Sequence, residues 1–340
     1  MKLALKDLAR DLGLSTTTVS WVLAGKGKEH RISEATSERV LKYARRFNFQ
    51  PNLLARSLNT GMSNTIGLIV PSVDDMFYAQ LARAVEQEAE LLGYALMLCS
   101  TGSEVERENR MIDTLRAKQV DGLLIAPTKQ SDSRILGMMR DNYPFVLVDR
   151  YWPELDTNYV TIDCEASSYN LVKHLLSKGY RRIAVMTTAM HLHTMEQRVE
   201  GWRKAYRDAG TEPDPNLVGA VDFKDYQAGM VAMLDAMFER EPGIDAFFFT
   251  THILAIETFI YLSERGITRK FGLAALHEDK LFRVIADHFD VAMIPVRSIG
   301  REAVRLLAGE IAARRPEPDE AFDEPAKQGL VLPCSLCLRS

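Results

Sequence analysis

The stretch Leu14-Ser15-Thr16-Thr17-Thr18-Val19-Ser20-Trp21-Val22-Leu23 decides what the first part of this 340-residue chain can be. Ser15 is a good N-cap, a short hydroxyl side chain placed just before a run whose apolar members Val19, Val22 and Leu23 share one helical face. Upstream, Leu5, Leu8, Ala9 and Leu12 repeat at helical spacing until Gly13 ends the run. Downstream, Ser33 caps a third helix in which Ala35, Val40, Leu41, Ala44 and Phe47 are expected to close a miniature core. Two short helices around a glycine turn make a helix-turn-helix, whose second helix can lie in a DNA major groove. Its exposed start presents Thr16, Thr17 and Thr18, with hydroxyls suited to phosphates or base edges and methyls suited to thymine.

The charge distribution agrees. Residues 1–60 carry eleven Lys/Arg against five Asp/Glu, a net +6, whereas the remainder carries 31 against 41, a net −10. A basic end on an acidic body points to a polyanion held at that end. No apolar run reaches the roughly eighteen residues of a membrane helix. The opening Met1-Lys2-Leu3-Ala4-Leu5-Lys6-Asp7 becomes charged too early for a secretory signal. Cys99 and Cys164 sit in apolar strand-like runs, and Cys334 and Cys337 near the C-terminus, so no disulfide framework is legible and a reducing, cytoplasmic setting is expected. Cys334-Ser335-Leu336-Cys337 has the spacing of half a zinc or redox site but lacks a second pair, and reads as structural filler.

The run Lys6-Asp7-Leu8-Ala9, the Leu14–Leu23 stretch, Arg31-Ile32-Ser33, Arg39-Val40 and Phe49-Gln50-Pro51-Asn52-Leu53-Leu54-Ala55-Arg56-Ser57-Leu58 together closely resemble the lactose-repressor (LacI/GalR) family. The Ser-Thr-Thr-Thr-Val-Ser helix is most similar to that of its purine-repressor branch. The resemblance implies a sequence-specific DNA-binding regulator, a repressor, controlled by a small-molecule effector. It implies a lambda-repressor-like helix-turn-helix domain over residues 1–49 and a hinge helix and linker over 50–62. Residues 63–340 would form a two-lobed, type I periplasmic-binding-protein-like α/β sensor. DNA contacts are implied for Lys6, Ser15, Thr16, Thr17, Thr18, Ser20 and Trp21, and in the hinge for Asn52, Ala55, Arg56 and Leu58, the last as a minor-groove wedge. So short a hinge helix is marginal alone and is expected to order only against a partner surface. Ala24 stands where the family usually has Asn, so one phosphate contact is expected to be missing. Trp21 occupies a position that often carries a base- or phosphate-reading side chain, and it serves equally well as filler under the turn.

From Thr65 onward short apolar strands alternate with amphipathic helices, the rhythm of parallel sheets flanked by helices. The expected strands are Ile66–Val70, Tyr94–Cys99, Gly122–Ala126, Phe145–Val148, Val160–Ile162, Ile183–Thr187, Val218–Val221, Ala246–Thr250 and Gly272–Leu276. The resemblance divides them between an N-lobe of about 63–161 plus 291–318 and a C-lobe of about 162–290 plus 319–340. Acidic, proline-broken Glu317–Pro325 reads as the last connection between lobes.

In such sheets ligands bind beyond the carboxyl ends of the strands. The resemblance assigns the effector to Phe77 and Tyr78, Asp149 and Arg150, Arg198 and Phe223. Two positions depart from it: His252 and His277 stand where the family commonly has aspartates. His191, His193 and the adjacent Thr194 lie at the same cleft edge. Exchanging two carboxylates for imidazoles, beside Arg150 and Arg198, predicts a cleft biased towards anions and an effector that is a sugar or an acidic or phosphorylated sugar derivative. For each histidine a purely structural hydrogen-bonding role stays open. Neither a cofactor nor a metal site is expected.

The resemblance also implies a homodimer on a pseudo-palindromic operator, and the lack of a heptad-bearing tail favours a dimer over a tetramer. Effector could release or promote DNA binding, since coupling takes either sign. Two other readings fit less well. A free solute-binding protein would want a signal peptide and no helix-turn-helix. An enzyme on a doubly wound sheet would want a phosphate-cradling glycine loop or a nucleophile elbow, and no G-x-x-x-x-G-K, G-x-G-x-x-G after a strand, or G-x-S-x-G is present.

Overall fold

The computed structural model describes residues 4–49, 61–128, 133–188, 192–222, 226–276, 289–314 and 326–338. They belong to two compact units, Met1–Ser63 and Asn64–Ser340.

In the first unit α1 (Leu5–Leu12), α2 (Thr16–Leu23) and α3 (Glu34–Arg46) form the expected three helices. Gly13 stops α1 at φ 62°, a left-handed geometry that glycine adopts without a Cβ penalty. Ser15 Oγ accepts from the Thr18 amide at 3.0 Å, and Ser33 Oγ from the Thr36 amide at 3.2 Å. Such caps contribute roughly 1 kcal/mol each. Leu8, Ala9, Val19, Val22, Val40 and Ala44 make the core, with Tyr43 and Phe49 packed against it. Ala35, Leu41 and Phe47, expected inside, are exposed instead. The inward stripe of α3 runs through Val40, Tyr43 and Ala44; Leu41 lies about 100° around the helix from Val40, and Phe47 is already the C-cap. Tyr43 earns its place with a polar end, its hydroxyl donating to Asp11 at 2.9 Å.

The second unit holds two six-stranded sheets. The first contains β1 (Thr65–Val70), β2 (Ala95–Ser100), β3 (Gly122–Ile125), β4 (Phe145–Val148), β5 (Tyr159–Ile162) and β11 (Gly329–Leu332), in the order β11-β5-β4-β3-β1-β2. The second contains β6 (Ile183–Thr188), β7 (Val218–Val221), β8 (Ala246–Phe249), β9 (Gly272–Leu276), β10 (Asp290–Met293) and β12 (Ser335–Cys337), in the order β12-β10-β9-β8-β6-β7. Every pairing is parallel except β10 with β12. Helices α4 (Met76–Leu91), α5 (Val105–Ala117), α6 (Ser133–Arg140) and α11 (Val296–Ala313) serve the first lobe. Helices α7 (Cys164–Ser177), α8 (His193–Asp208), α9 (Tyr226–Arg240) and α10 (His252–Glu264) serve the second. β8 is buried on both faces, as a central parallel strand must be, and each of Phe247, Phe248 and Phe249 is fully enclosed. Burying one such ring contributes roughly 2–3 kcal/mol.

All nine expected strands are present, but β10 and β11 redraw the lobes. β10 pairs with β9 in the second sheet, and β11 with β5 in the first. The expected division at residues 291 and 319 is therefore corrected. The chain leaves the second lobe after Met293 and crosses for the third time at Pro333-Cys334, between β11 and β12. Pro333 has no N–H to continue the ladder, so β11 stops there. Glu317–Pro325, expected as the last crossing, lies outside the described residues, and the elements on either side of it, α11 and β11, both belong to the first lobe. The Asp163 amide donates to the Leu332 carbonyl at 3.1 Å, extending the β5–β11 pairing so that the first and third crossings run side by side. Cys164, expected in a strand, is the buried first residue of α7. Among the described residues no helix is long and apolar enough to cross a membrane.

The tightest helix contact joins α7 and α8. A Cβ on Gly201 would meet the Glu165 carbonyl oxygen, Ser168 Cβ at 2.7 Å and the Tyr169 amide nitrogen at 2.9 Å. Gly201→Ala must push backbone away from backbone, and we expect a loss of about 2–3 kcal/mol in urea unfolding. A loss under about 0.5 kcal/mol, within the range of neutral surface changes, would mean the two helices separate freely.

Candidate effector cleft and DNA-reading surface

Parallel strands deliver their carboxyl ends to one edge of each sheet, and in the second unit those two edges face each other across a cleft of about 540 Å³. That volume suits a small molecule. The loop after β1 contributes Asp75, the N-cap of α4, whose Oδ1 accepts from the Phe77 amide at 2.8 Å. Phe77 and Tyr78 follow, both buried and edge-to-face at 4.9 Å between ring centroids. The Tyr78 hydroxyl donates to Asp149 Oδ2 at 2.8 Å, and burial pushes its ionisation well above the ordinary phenol range. Asp149, just after β4, has φ 65°, a left-handed conformation that aspartate tolerates better than most residues. Thr161 Oγ1 donates to its carbonyl at 2.9 Å and helps hold the turn.

Two guanidinium groups line the cleft. Arg150 donates from Nη1 to the Pro127 carbonyl at 3.1 Å and lies 3.7 Å from Asp149 Oδ2. Arg198, on α8 and buried, donates from Nη1 to the Thr250 carbonyl at 2.6 Å. The Nε atoms of both are buried and have no hydrogen-bond acceptor among the described residues. A buried donor left unmet costs about 1–3 kcal/mol. Arg150 Nε has only the longer ion pair with Asp149, and both guanidinium groups border the cleft, where a ligand oxygen can reach them.

His252, the first residue of α10, is buried and brings its Nε2 to 3.8 Å from Asp75 Oδ1. The pair joins one lobe to the other. Burial is the largest influence on Asp75 and raises its carboxyl above the ordinary range; the His252 charge and the Phe77 amide pull it back, and Asp149 pushes it up again. The lining carboxylates Asp75, Asp149 and Asp222 thus stand against Arg150, Arg198 and His252. Among the described lining residues three acids therefore face two arginines and one histidine, so this part of the cleft is not strongly cationic.

Phe77, Tyr78, Asp149, Arg150, Arg198 and His252 all line the cleft. His193 and Thr194 do not. α8 begins at His193, so Leu192, Met195 and Arg198 share the face turned to the cleft, while the His193 ring packs edge-on against Tyr151 at 5.3 Å and Thr194 is buried. His191, Phe223 and His277 lie outside the described residues, although their neighbours Leu192, Asp222 and Leu276 line the cleft. Among the described residues no three His, Cys, Asp or Glu side chains converge as a metal-ligand set. Asp75 and Asp222 are cleft carboxylates that the sequence did not single out, yet the same capping logic that picked out Ser15 applies to Asp75.

On the first unit Lys6, Ser15, Thr16, Thr17 and Ser20 are exposed. Thr18 is half-buried, and its hydroxyl shares a hydrogen bond with Ser15 Oγ at 2.8 Å, so it closes the cap. Trp21 stacks on His30, with ring centroids 3.6 Å apart and planes 9° from parallel. Asn52, Ala55, Arg56 and Leu58 fall outside the described residues.

Comparison with known proteins matches residues 4–52 to the profile of "Bacterial regulatory proteins, lacI family". Residues 63–320 match "Periplasmic binding proteins and sugar binding domain of LacI family". The chain is 28% identical to the HTH-type transcriptional regulator DegA of Bacillus subtilis over all of its own length and 98% of that protein. It is 29% identical to the HTH-type transcriptional repressor PurR of Vibrio atlanticus, covering 90% and 91% of the two chains. The ribose operon repressor of Halalkalibacterium halodurans is 28% identical over 95% and 94%. Among solved structures, a LacI-family regulator from Silicibacter pomeroyi shares the fold at TM-score 0.75 and 23% identity, over 98% of both chains. The transcriptional regulator CelR in complex with cellobiose does so at TM-score 0.71 and 24%, over 99% of both.

Because burial raises Asp75, the folded protein binds a proton there more readily than the unfolded chain, and stability falls as pH rises through the window above the ordinary aspartate value of about 3.8. Asp75→Asn keeps a capping oxygen and removes that slope. The variant should melt above the wild type at pH 7, with the gap closing as the pH approaches 4 in scanning fluorimetry. A variant that melts lower at pH 7 would mean that the pairing with His252 outweighs the burial.

Proposed function

The chain belongs to the LacI family of bacterial regulatory proteins, and on that premise we propose that it is a homodimeric transcriptional repressor of a pseudo-palindromic operator, controlled by a sugar-derived effector held between its two lobes. Its relatives are DNA-binding transcriptional regulators, and the helix-turn-helix unit with its exposed Ser15, Thr16, Thr17 and Ser20 is the corresponding reading surface. We assign its setting to the cytoplasm, where the operator is.

The observation that carries the effector reading is the pair of guanidinium groups, Arg150 and Arg198, whose buried Nε atoms have no hydrogen-bond acceptor among the described residues, in a cleft that also holds the carboxylates of Asp75 and Asp149. Carboxylates accept from hydroxyls, and guanidinium groups donate to ring, carboxylate or phosphate oxygens. A ligand that offers several hydroxyls and at least one strong acceptor satisfies both. Sugar acids and sugar phosphates have that composition. Two relatives are named for carbohydrates, ribose in one case and cellobiose in the other, which supports the broader class.

Dimerisation is supported by uncovered apolar surface at one edge of the first sheet. β2 lies at that edge with Met97 and Leu98 exposed, beside Leu91 and Leu92 at the end of α4. Met97 and Leu98 are consecutive and so project from opposite faces of this edge strand, and apolar side chains left open on such an edge invite pairing or burial. A second copy supplies both, and two-fold symmetry then dictates a two-fold operator. Effector acts by favouring one arrangement of the lobes, and residues 50–62 carry the change to the DNA-binding unit.

Two measurements test the proposal. In a thermal-shift screen with gluconate, ribose 5-phosphate, ribose and cellobiose, an acidic sugar near 100 times its Kd should stabilise by about 2.7 kcal/mol, which is several degrees. Arg198→Ala should abolish the shift. Equal shifts from the neutral sugars alone would return the effector to neutral carbohydrates. For the dimer, combined Met97→Glu and Leu98→Glu should move the sedimentation coefficient from dimer to monomer, and a dimer that survives both charges does not use this edge.

A further inference from the structure

We propose that Trp21 is a positioning residue: by stacking under His30 it holds the Gly25–Arg31 loop as a second DNA-contacting element, aimed at the phosphate backbone rather than at the bases. The inference rests on the helix-turn-helix unit binding DNA, and it concerns what the last turn of α2 contributes to that binding.

The ring geometry comes first. Trp21 is half-buried, and the His30 imidazole lies almost flat on its indole at 3.6 Å. A base-reading side chain needs a free edge in the groove, preferably with paired donor and acceptor. Indole offers a single donor and no acceptor, and one face of this indole is already occupied.

The loop itself is closed by backbone bonds. The Lys26 amide donates to the Trp21 carbonyl at 2.9 Å, His30 to Lys26 at 3.2 Å, Arg31 to Lys28 at 3.1 Å and Ile32 to Gly27 at 2.8 Å. Gly27 is buried, and a Cβ on it would come to 3.0 Å from Ser37 Oγ of α3. Arg31 holds a left-handed φ of 53°. The stack with Trp21 is the side-chain clamp on this otherwise backbone-held loop. Its exposed side chains are Lys26, Lys28, Glu29, His30 and Arg31, with three firm cations against one acid. The Lys28–Glu34 pair, at 3.7 Å and largely exposed, holds Lys28 only weakly.

Thr17 and Trp21 are one helical turn apart, so the loop stands directly beyond the base-facing hydroxyls of the same face. A fixed cationic loop beside a groove-reading helix matches the phosphates that flank the groove. Holding it in place before binding avoids the ordering cost that a free loop would bring.

The test uses the full-length dimer and a duplex selected from a random-sequence pool by the wild type. Trp21→Ala should weaken binding to the selected duplex and to an unrelated duplex by the same factor. It should also reduce the slope of log K against log salt by about 1, the signature of a lost phosphate contact. Trp21→Phe should restore both, and reselection with Trp21→Ala should return the same half-site. His30→Ala, an exposed substitution that leaves the helical core untouched, should reproduce the slope change and carries the test even where Trp21→Ala fails to fold. A changed or relaxed base at one half-site position with an unchanged salt slope would make Trp21 a base reader. An unaltered slope and affinity in His30→Ala would overturn the proposal outright.

Discussion

Parallel pairing is the constraint from which the rest of the sensor follows. A parallel ladder requires a crossover for every strand, so helices cover both faces of each sheet and the carboxyl ends of the strands collect along one edge. With two such sheets in one unit, the only place where many loop residues from distant parts of the chain can meet is between those edges. The crossings at Asp163, after Met293 and at Pro333-Cys334 keep the edges opposed, and the Asp163–Leu332 hydrogen bond ties the first crossing to the third. A change of lobe arrangement must therefore be absorbed by segments of a few residues, which is the usual anatomy of a hinge.

The cleft trades stability for readiness to bind. Asp75 is ionisable and largely buried, Arg150 and Arg198 have Nε donors without an acceptor among the described residues, and Asp149 sits in a left-handed turn. Each is unfavourable without a ligand. Such costs are tolerable because the surrounding sheets supply a large apolar core, including the fully enclosed β8 phenylalanines. The His252–Asp75 pair is a partial compensation, since it sets a protonatable group of one lobe against a largely buried carboxyl of the other. It also gives the described histidine-for-aspartate departure a partner: His252 faces the carboxyl of Asp75 across the cleft.

Local signals in the sequence were strong wherever neighbours in the chain are neighbours in space. Ser15, Ser33 and Gly13 act within one turn, and the nine strands announce themselves as short apolar runs between polar and turn-forming segments. The misreadings arose where that condition fails. Leu41 and Phe47 are apolar but exposed, the one a full residue step of about 100° from Val40 and the other at the C-cap, where the helix has ended. β10 and β11 were not among the expected strands, and their membership of different sheets is settled by partners far away in sequence.

What the sequence by itself determined is the kind of molecule: a capped helix-turn-helix on a basic segment, then alternating strands and helices with ligand-type side chains after the strand ends. Those properties are encoded in hydrogen-bonding range and hydrophobic period, which need only a few consecutive residues. The tertiary structure alone decided which of those side chains share the cleft, why His193 and Thr194 turn away from it, and that His252 meets Asp75 while Trp21 meets His30. Contacts of that kind depend on where folded segments come to rest against one another, and distances of a few ångströms between distant residues have no local signature in the chain.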